Sequence, residues 1–267
     1  MRDILEAVAA GELSPEAAEA RLRGYATSEA GRFDAARERR TGVPEAVLAD
    51  GKTPEEVATL VATSVETTGR AIATRVLDRQ LVAVRGRLAE DHPDASVRFH
   101  DRASVLVAHG PDFDGPDLAA SIGVVTAGTS DAVPAGEAAV VAGEMGADVA
   151  RVDDVGVAAL TRLTDRVDDL RAHDVLVVAA GREGALPTVT AGLVDVPVIG
   201  LPVSVGYGHG GDGEAALLGM LQSCTALSVV NVDAGFTAGA QAGLIAGQFD
   251  AARETPREAN ASTDSDG

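Results

Sequence analysis

Tryptophan is absent, aromatic residues make up only 3% of the 267 residues, and cysteine occurs once, at Cys224. A lone cysteine excludes any disulfide within the chain. A core without large aromatics must be built from Val, Ala and Leu, which suits a buried parallel sheet covered by Ala-rich helices. Lys52 is the only lysine, and positive charge is scarce against 41 acidic residues, for a formal net charge of −19. Such a balance argues against nucleic acid and anionic membranes as partners. The acidic residues are spread along the whole chain, which reads as a solubility adaptation to high salt rather than as a cationic-substrate site. No run of ~18 apolar residues is present, as a membrane span requires. The first residues, MRDILEAVAAGELSPEAAEARL, lack the apolar centre of a signal peptide, so a cytoplasmic protein is expected. No CxxC or HxxxH spacing offers a metal site, and no Gly-rich dinucleotide fingerprint or P-loop follows a strand.

What the chain does contain is a rhythm. Residues 3–24 read as two short helices, the second opened by Ser14 as cap and Pro15 at its first position. Pro54 opens another helix, residues 71–76 read as a strand, 78–91 as a helix, and 96–100 and 104–108 as strands. A linker over 109–117 follows. From Ser121 onward apolar runs alternate with helical patterns. Strands are expected at 121–126, 148–152, 174–180, 196–200 and 226–232, and helices at 133–145, 157–169, 185–192, 214–223 and 239–246. That alternation predicts βαβ units and a parallel sheet with helices on both faces. The organisation expected is an N-terminal domain over 1–110, a sheet domain over 118–249, and a disordered acidic tail over 250–267.

In open α/β sheets ligands bind beyond the carboxyl ends of the strands, which turns the strand assignments into a site list. Gly128, Thr129, Ser130 and Asp131 follow the first strand of the second half. Their amides and hydroxyls suit a phosphate, and Asp131 suits a base or a ribose contact; the same residues equally read as an N-cap cluster. Asp154 follows the next strand. Gly181, Glu183 and Gly184 follow the third, where Glu183 reads either as a general acid–base or as a first-turn Glu favoured by the helix dipole. Ser204 lies in a Gly-rich loop after the fourth strand, a lid, a cradle or a plain connection. Cys224 by itself reads first as a small buried hydrophobe.

Taken together, TAGTSD (126–131), DDVGVAALTRL (153–163), VVAAGREGALPTVTAGLVDVPVIGLPVSVGYG (177–208) and LLGMLQSCTALSVVNVDAGFTAGAQA (217–242) resemble the LarB family of nickel-pincer cofactor biosynthesis. The upstream segments RERRTGVPEAVLADGKTPEEV (37–57) and AIATRV (71–76) resemble its N-terminal half. The C-terminal part of that family is similar to PurE, the aminoimidazole ribonucleotide (AIR) carboxylase. The fold implied is a PurE-like, three-layer parallel-sheet domain preceded by a smaller α/β domain. The resemblance implies carboxylation of C5 of the pyridinium ring of nicotinic acid adenine dinucleotide and hydrolysis of its phosphoanhydride. The products would be AMP and pyridinium-3,5-biscarboxylic acid mononucleotide. It makes Cys224 the nucleophile, with Glu183 and then Asp131 as bases, and Gly128, Thr129 and Ser130 as phosphate ligands. Arg37, Arg40 and Lys52 would pair with carboxylate or pyrophosphate; the same three also read as solvated helix charges. CO2 or bicarbonate is the co-substrate and no tightly bound cofactor is expected; whether Mg2+ assists hydrolysis stays open. The resemblance also implies a homo-oligomer, an octamer, with the Ala-rich helix near 239–246 between subunits. The chain departs from the family pattern at Thr161, at Arg182 and over Asn231–Thr237. The competing readings are a PurE-type carboxylase, for which Cys224 is dispensable, and a nucleotide-binding module without turnover.

Overall fold

The computed structural model describes residues 2–254; the expected tail beyond them, 255–267, lies outside the described residues. The chain opens with α1 (Arg2–Ala9) and α2 (Pro15–Arg23). Ser14 caps α2 by accepting the Ala17 amide at 3.0 Å. A small hairpin of β1 (Ala26–Ser28) and β2 (Gly31–Phe33) follows, then α3 (Arg37–Thr41) and β3 (Val47–Leu48). None of these last four was read from the sequence. In α4 (Pro54–Thr68), Thr53 and Glu56 bond each other's backbone amides, and Gly69 ends the helix at φ 74°. β4 (Arg70–Thr74), α5 (Asp78–Asp91), β5 (Ser96–His100) and β6 (Val105–His109) complete a four-stranded sheet ordered β3-β4-β6-β5. β3 runs parallel to β4, and the other pairs are antiparallel. One face is sealed by α4 and α5 through Val57, Val61, Val65, Val84 and Leu88.

The second half alternates as expected: β7 (Ser121–Thr126), α6 (Ala132–Glu144), β8 (Asp148–Val152), α7 (Leu160–Thr164), α8 (Val167–Arg171), β9 (Val175–Ala180), α9 (Ala185–Ala191), β10 (Val198–Pro202), α10 (Glu214–Leu221), β11 (Ser228–Val229) and α11 (Gly235–Glu254). Five parallel strands form a sheet ordered β11-β10-β9-β7-β8. β9 is buried at every position, as an apolar run without alternation demands. α6 and α11 cover one face with alanines; Leu163, Leu170, Leu186 and Met220 cover the other. The N-terminal sheet then lies on the outside of α6 and α11, burying Ile72, Val105 and Val107 against Val140, and Val43 against Val141 and Ala240. The molecule therefore stacks helices, sheet, helices, sheet and helices, with the α6–α11 layer shared by the two domains.

Four details depart from the sequence reading. The helix expected over 157–169 is broken into a 3-10 turn, α7 and α8. The Thr164 hydroxyl there donates to the Thr161 carbonyl at 3.2 Å, a local bond that competes with helix continuation. The last strand shrinks to Ser228–Val229, because the chain turns at Asp233, which adopts φ 53°. α11 runs on through Glu254, so residues 250–254 are helix rather than tail. Asp250 accepts the Ala119 amide at 2.8 Å, and Arg253 pairs with Asp174. Finally, the small-residue face near 239–246 is used inside the chain: Cβ atoms at Gly235 and Gly239 would lie 2.3 and 2.4 Å from the Pro134 and Ala138 carbonyls of α6.

Candidate active site

The carboxyl ends of β7, β9 and β10 open into a cleft of about 480 Å³. Its walls come from the loop Ala127–Asp131, from Gly156–Ala158, from Ala180–Leu186 and from Val205–Tyr207. Glycines make this convergence possible. A Cβ on Gly156 would sit 2.7 Å from the Ala127 carbonyl oxygen, and one on Gly181 would sit 2.3 Å from that of Val205. Non-glycine residues in the left-handed region cluster at strand ends: Arg75 after β4, Asp154 after β8, Arg182 after β9 and Asp233 after β11. Such strain is held where surrounding structure fixes it, and it concentrates at functional sites.

Asp131 lies at the floor, 2% exposed. Its carboxylate accepts the Gly128 amide at 2.8 Å and lies 3.4 Å from the Ser130 hydroxyl. Burial pushes its pKa up, and the Gly128 backbone, the Ser130 hydroxyl, and the Ala127 and Gly181 backbones only partly offset it. A carboxyl held above its ordinary range beside a cleft is suited to moving a proton. Glu183 is exposed on the facing loop and lines the same cleft. Over the mouth, the Arg182 guanidinium stacks on the Tyr207 ring at 4.6 Å and donates to its hydroxyl at 3.2 Å. The Arg182 hydrogen bond and charge lower the Tyr207 pKa.

The structure thus brings together Gly128, Ser130, Asp131, Gly181 and Glu183. The Gly128 amide, offered to a phosphate by the sequence reading, is occupied by Asp131. Thr129 is exposed and outside the cleft lining. Gly184 caps α9 at φ 65° and touches Ala216. The Asp154 amide donates to the Thr126 hydroxyl, and its carboxylate pairs with Arg162 at 3.0 Å. The Ser204 amide bonds Asp233 at 3.0 Å. Arg37 pairs with Glu45, Arg40 with Asp34, and the Lys52 ammonium donates to the Leu48 carbonyl. None of these last three lines the cleft.

Cys224 is exposed and does not line the cleft either. It sits in the loop that returns the chain from α10 to the amino end of β11, where Ser228 pairs with Ile199. Its neighbours hold that loop: the Thr225 amide donates to the Ser223 hydroxyl at 3.1 Å, and the Thr225 hydroxyl to the Thr188 carbonyl at 3.4 Å. Sequence reasoning missed Tyr207, Arg182 as a cleft residue and the wall Gly156–Ala158. Their signal was position, each lying just beyond a strand's carboxyl end. Among the described residues no three His, Cys, Asp or Glu side chains gather at a metal-sized site, and no helix is long and apolar enough to cross a membrane.

Residues 25–110 match the LarB/PurE-like N-terminal domain, and residues 121–263 match AIR carboxylase. An uncharacterized protein of Methanocaldococcus jannaschii is 36% identical over 252 residues, covering 92% of this chain and 96% of that protein. The chain belongs to the LarB/PurE-like carboxylase family. Its AIR carboxylase domain, which contains the whole cleft, marks an enzyme of the carboxylase or mutase type. The LarB/PurE-like N-terminal domain supplies β1 to β6 and contributes no residue to the cleft lining.

Proposed function

We propose that the enzyme carboxylates C5 of the pyridinium ring of nicotinic acid adenine dinucleotide and hydrolyses the phosphoanhydride, releasing AMP and pyridinium-3,5-biscarboxylic acid mononucleotide. The observation that carries this reading is the pairing, in one cleft, of the buried Asp131 with the solvent-facing Glu183. They stand at the strand ends of an AIR carboxylase domain that follows a LarB-type N-terminal domain. A pyridinium ring is too electron-poor to attack CO2. Addition of the Cys224 thiolate to the ring forms a C–S bond and sends a π pair to the ring nitrogen, giving a neutral enamine that is nucleophilic at C5. C5 then bonds to the carbon of CO2. Glu183 or Asp131 removes the C5 proton, the electron pair re-forms the ring, and the C–S bond breaks to return the thiolate. Water cleaves the phosphoanhydride in a separate step. Mg2+ would enter with the substrate's phosphates, which is how it is usually held.

Because Cys224 lies outside the cleft lining of its own chain, this reading has a second copy of the chain deliver the thiolate. A homo-oligomer, with an octamer as the working expectation, is therefore part of the proposal. Of the two competing readings, the same displacement favours a PurE-type carboxylase acting on aminoimidazole ribonucleotide without a cysteine. Incubating the full chain and Cys224→Ala with the dinucleotide, bicarbonate and Mg2+ at molar salt, with products read by mass spectrometry, separates the two. The dicarboxylated mononucleotide plus AMP from the wild type alone is expected. Turnover of aminoimidazole ribonucleotide by both proteins would replace the proposal with the PurE-type reading.

A further inference from the structure

The junction of the two domains holds a second polar cluster that the proposed reaction leaves unused. β4 ends at Thr74, which is fully buried at 0% exposure, and its hydroxyl has no hydrogen-bond partner among the described residues. That hydroxyl faces the carboxyl of Glu137 on α6 without reaching hydrogen-bonding geometry. Glu137 is itself 4% exposed, with the Phe236 backbone and the Asp233 carboxylate also facing it. Arg75, the next residue after Thr74, adopts φ 56° and reaches across the domain boundary to donate to the Asp233 carbonyl at 2.9 Å. Burial raises the Glu137 pKa, and the Arg75 charge pulls the other way without cancelling it.

The cluster is tied to the cleft wall through the chain. Asp233 accepts the Ser204 amide, and the next residue, Val205, is cleft wall. Asp131 caps α6 and Glu137 follows it on the same helix, roughly 9 Å farther along the axis at 1.5 Å per residue. The groups gathered here are a guanidinium, a free hydroxyl and a carboxyl biased toward its protonated form. Arg offers two parallel donors to a planar oxyanion, and a carboxylate arriving beside a second carboxyl favours a proton shared between them. The set suits a single carboxylate. A phosphate would bring more negative charge against Glu137 and Asp233, and a carboxamide would turn an NH2 group toward the guanidinium.

We infer that Thr74, Arg75 and Glu137 bind the ring carboxylate of the substrate and set the preference for the acid form of the dinucleotide over the amide form; the inference rests on the reaction proposed above. The test is calorimetric binding of nicotinic acid adenine dinucleotide and of its carboxamide counterpart, NAD. It uses the full chain, Arg75→Gln and Thr74→Val in CO2-depleted buffer without Mg2+, each variant first checked for a native circular-dichroism melt. The wild type should bind the acid form at least about tenfold more tightly, the scale of one charge-assisted hydrogen bond. Arg75→Gln should weaken the acid form by about tenfold or more and leave the amide form nearly unchanged. Thr74→Val, which keeps the shape and removes the hydroxyl, should weaken the acid form several-fold. An intact preference in Arg75→Gln, or equal losses for both dinucleotides, overturns the assignment and leaves the reaction standing. A wild type that binds neither dinucleotide overturns the reaction, and the assignment falls with it.

Discussion

Arg70, the first residue of β4, donates from Nη1 to the main-chain oxygen of Glu144 at the end of α6, and that nitrogen lies 3.6 Å from the Glu144 carboxylate. The guanidinium is only 4% exposed; it also bonds Glu38 at 2.7 Å and lies over the Phe113 ring. One buried arginine thus joins the N-terminal domain to the shared helix layer. Truncating the buried member of a charged network strips the others of its charge and donors, at a cost of about 3 kcal/mol. Arg70→Ala should lose stability on that scale in chemical denaturation. Glu38→Ala, whose carboxylate is half-exposed, should lose under about 1 kcal/mol. Equal losses would contradict the buried-network account.

Two glycines in the cleft wall make a matched pair. A Cβ at Gly181 would meet the Val205 carbonyl oxygen at 2.3 Å, so the two wall loops must part. At Gly206 the nearest atom would be the Arg182 amide nitrogen at 3.7 Å, an ordinary contact. Gly181→Ala should therefore cost about 1–3 kcal/mol as an overpacked site and abolish most nucleotide binding. Gly206→Ala should stay near wild type in both. Thermal melts and ligand titration on the two variants check this, and a tolerated Gly181→Ala would mean that the loops are less closely apposed.

The parallel sheet was legible because β7, β9 and β10 are apolar runs bounded by turn residues. The rule that ligands sit at strand carboxyl ends then pointed to Gly128, Asp131, Gly181 and Glu183. The hairpin β1–β2 was missed because three-residue strands carry too little periodicity. The arrangement of Thr74, Arg75 and Glu137 was illegible for a different reason. It depends on how the outer sheet seats on α6, and no local pattern encodes that contact. Cys224 shows the opposite failure, since motif likeness gave it a role but spacing in sequence did not give its place relative to the cleft.

The raised pKa of Glu137 has a signed consequence for stability. Its folded-state pKa lies above the ordinary 4.5, with burial the main cause. The folded chain therefore holds this proton more tightly than the unfolded chain does. The stabilisation is full below the ordinary value and is lost as pH rises through the folded-state pKa. Glu137→Gln cannot ionise, so any structural cost of the amide is constant with pH. The melting temperature of Glu137→Gln relative to wild type should rise as pH increases from the ordinary carboxylate value through the folded-state pKa, then level off. The nearby Asp233 carboxylate strengthens the trend and the Arg75 guanidinium opposes it. A difference that is flat or falls with pH would show that Glu137 is not destabilised in its charged form.

Delivery of Cys224 by a second copy of the chain has its own test, one that needs no structure of the assembly. Cys224→Ala keeps the cleft with Glu183 intact, and Glu183→Gln keeps the thiol. If each active site joins the cleft of one chain to the cysteine of another, a subunit pair carrying one variant each forms one complete site and one doubly damaged site. Random mixing at symmetric interfaces then restores roughly a quarter of the sites. With Glu183 as the base, the two variants are each inactive alone and should regain carboxylation when co-expressed or mixed after reversible dissociation. If both lesions must be absent from the same chain, mixing restores nothing and the thiol must reach the cleft of its own chain by movement of the loop after α10. Activity in Cys224→Ala alone would instead remove the thiol from the chemistry, and the distance of Cys224 from the cleft would need no neighbour to explain it.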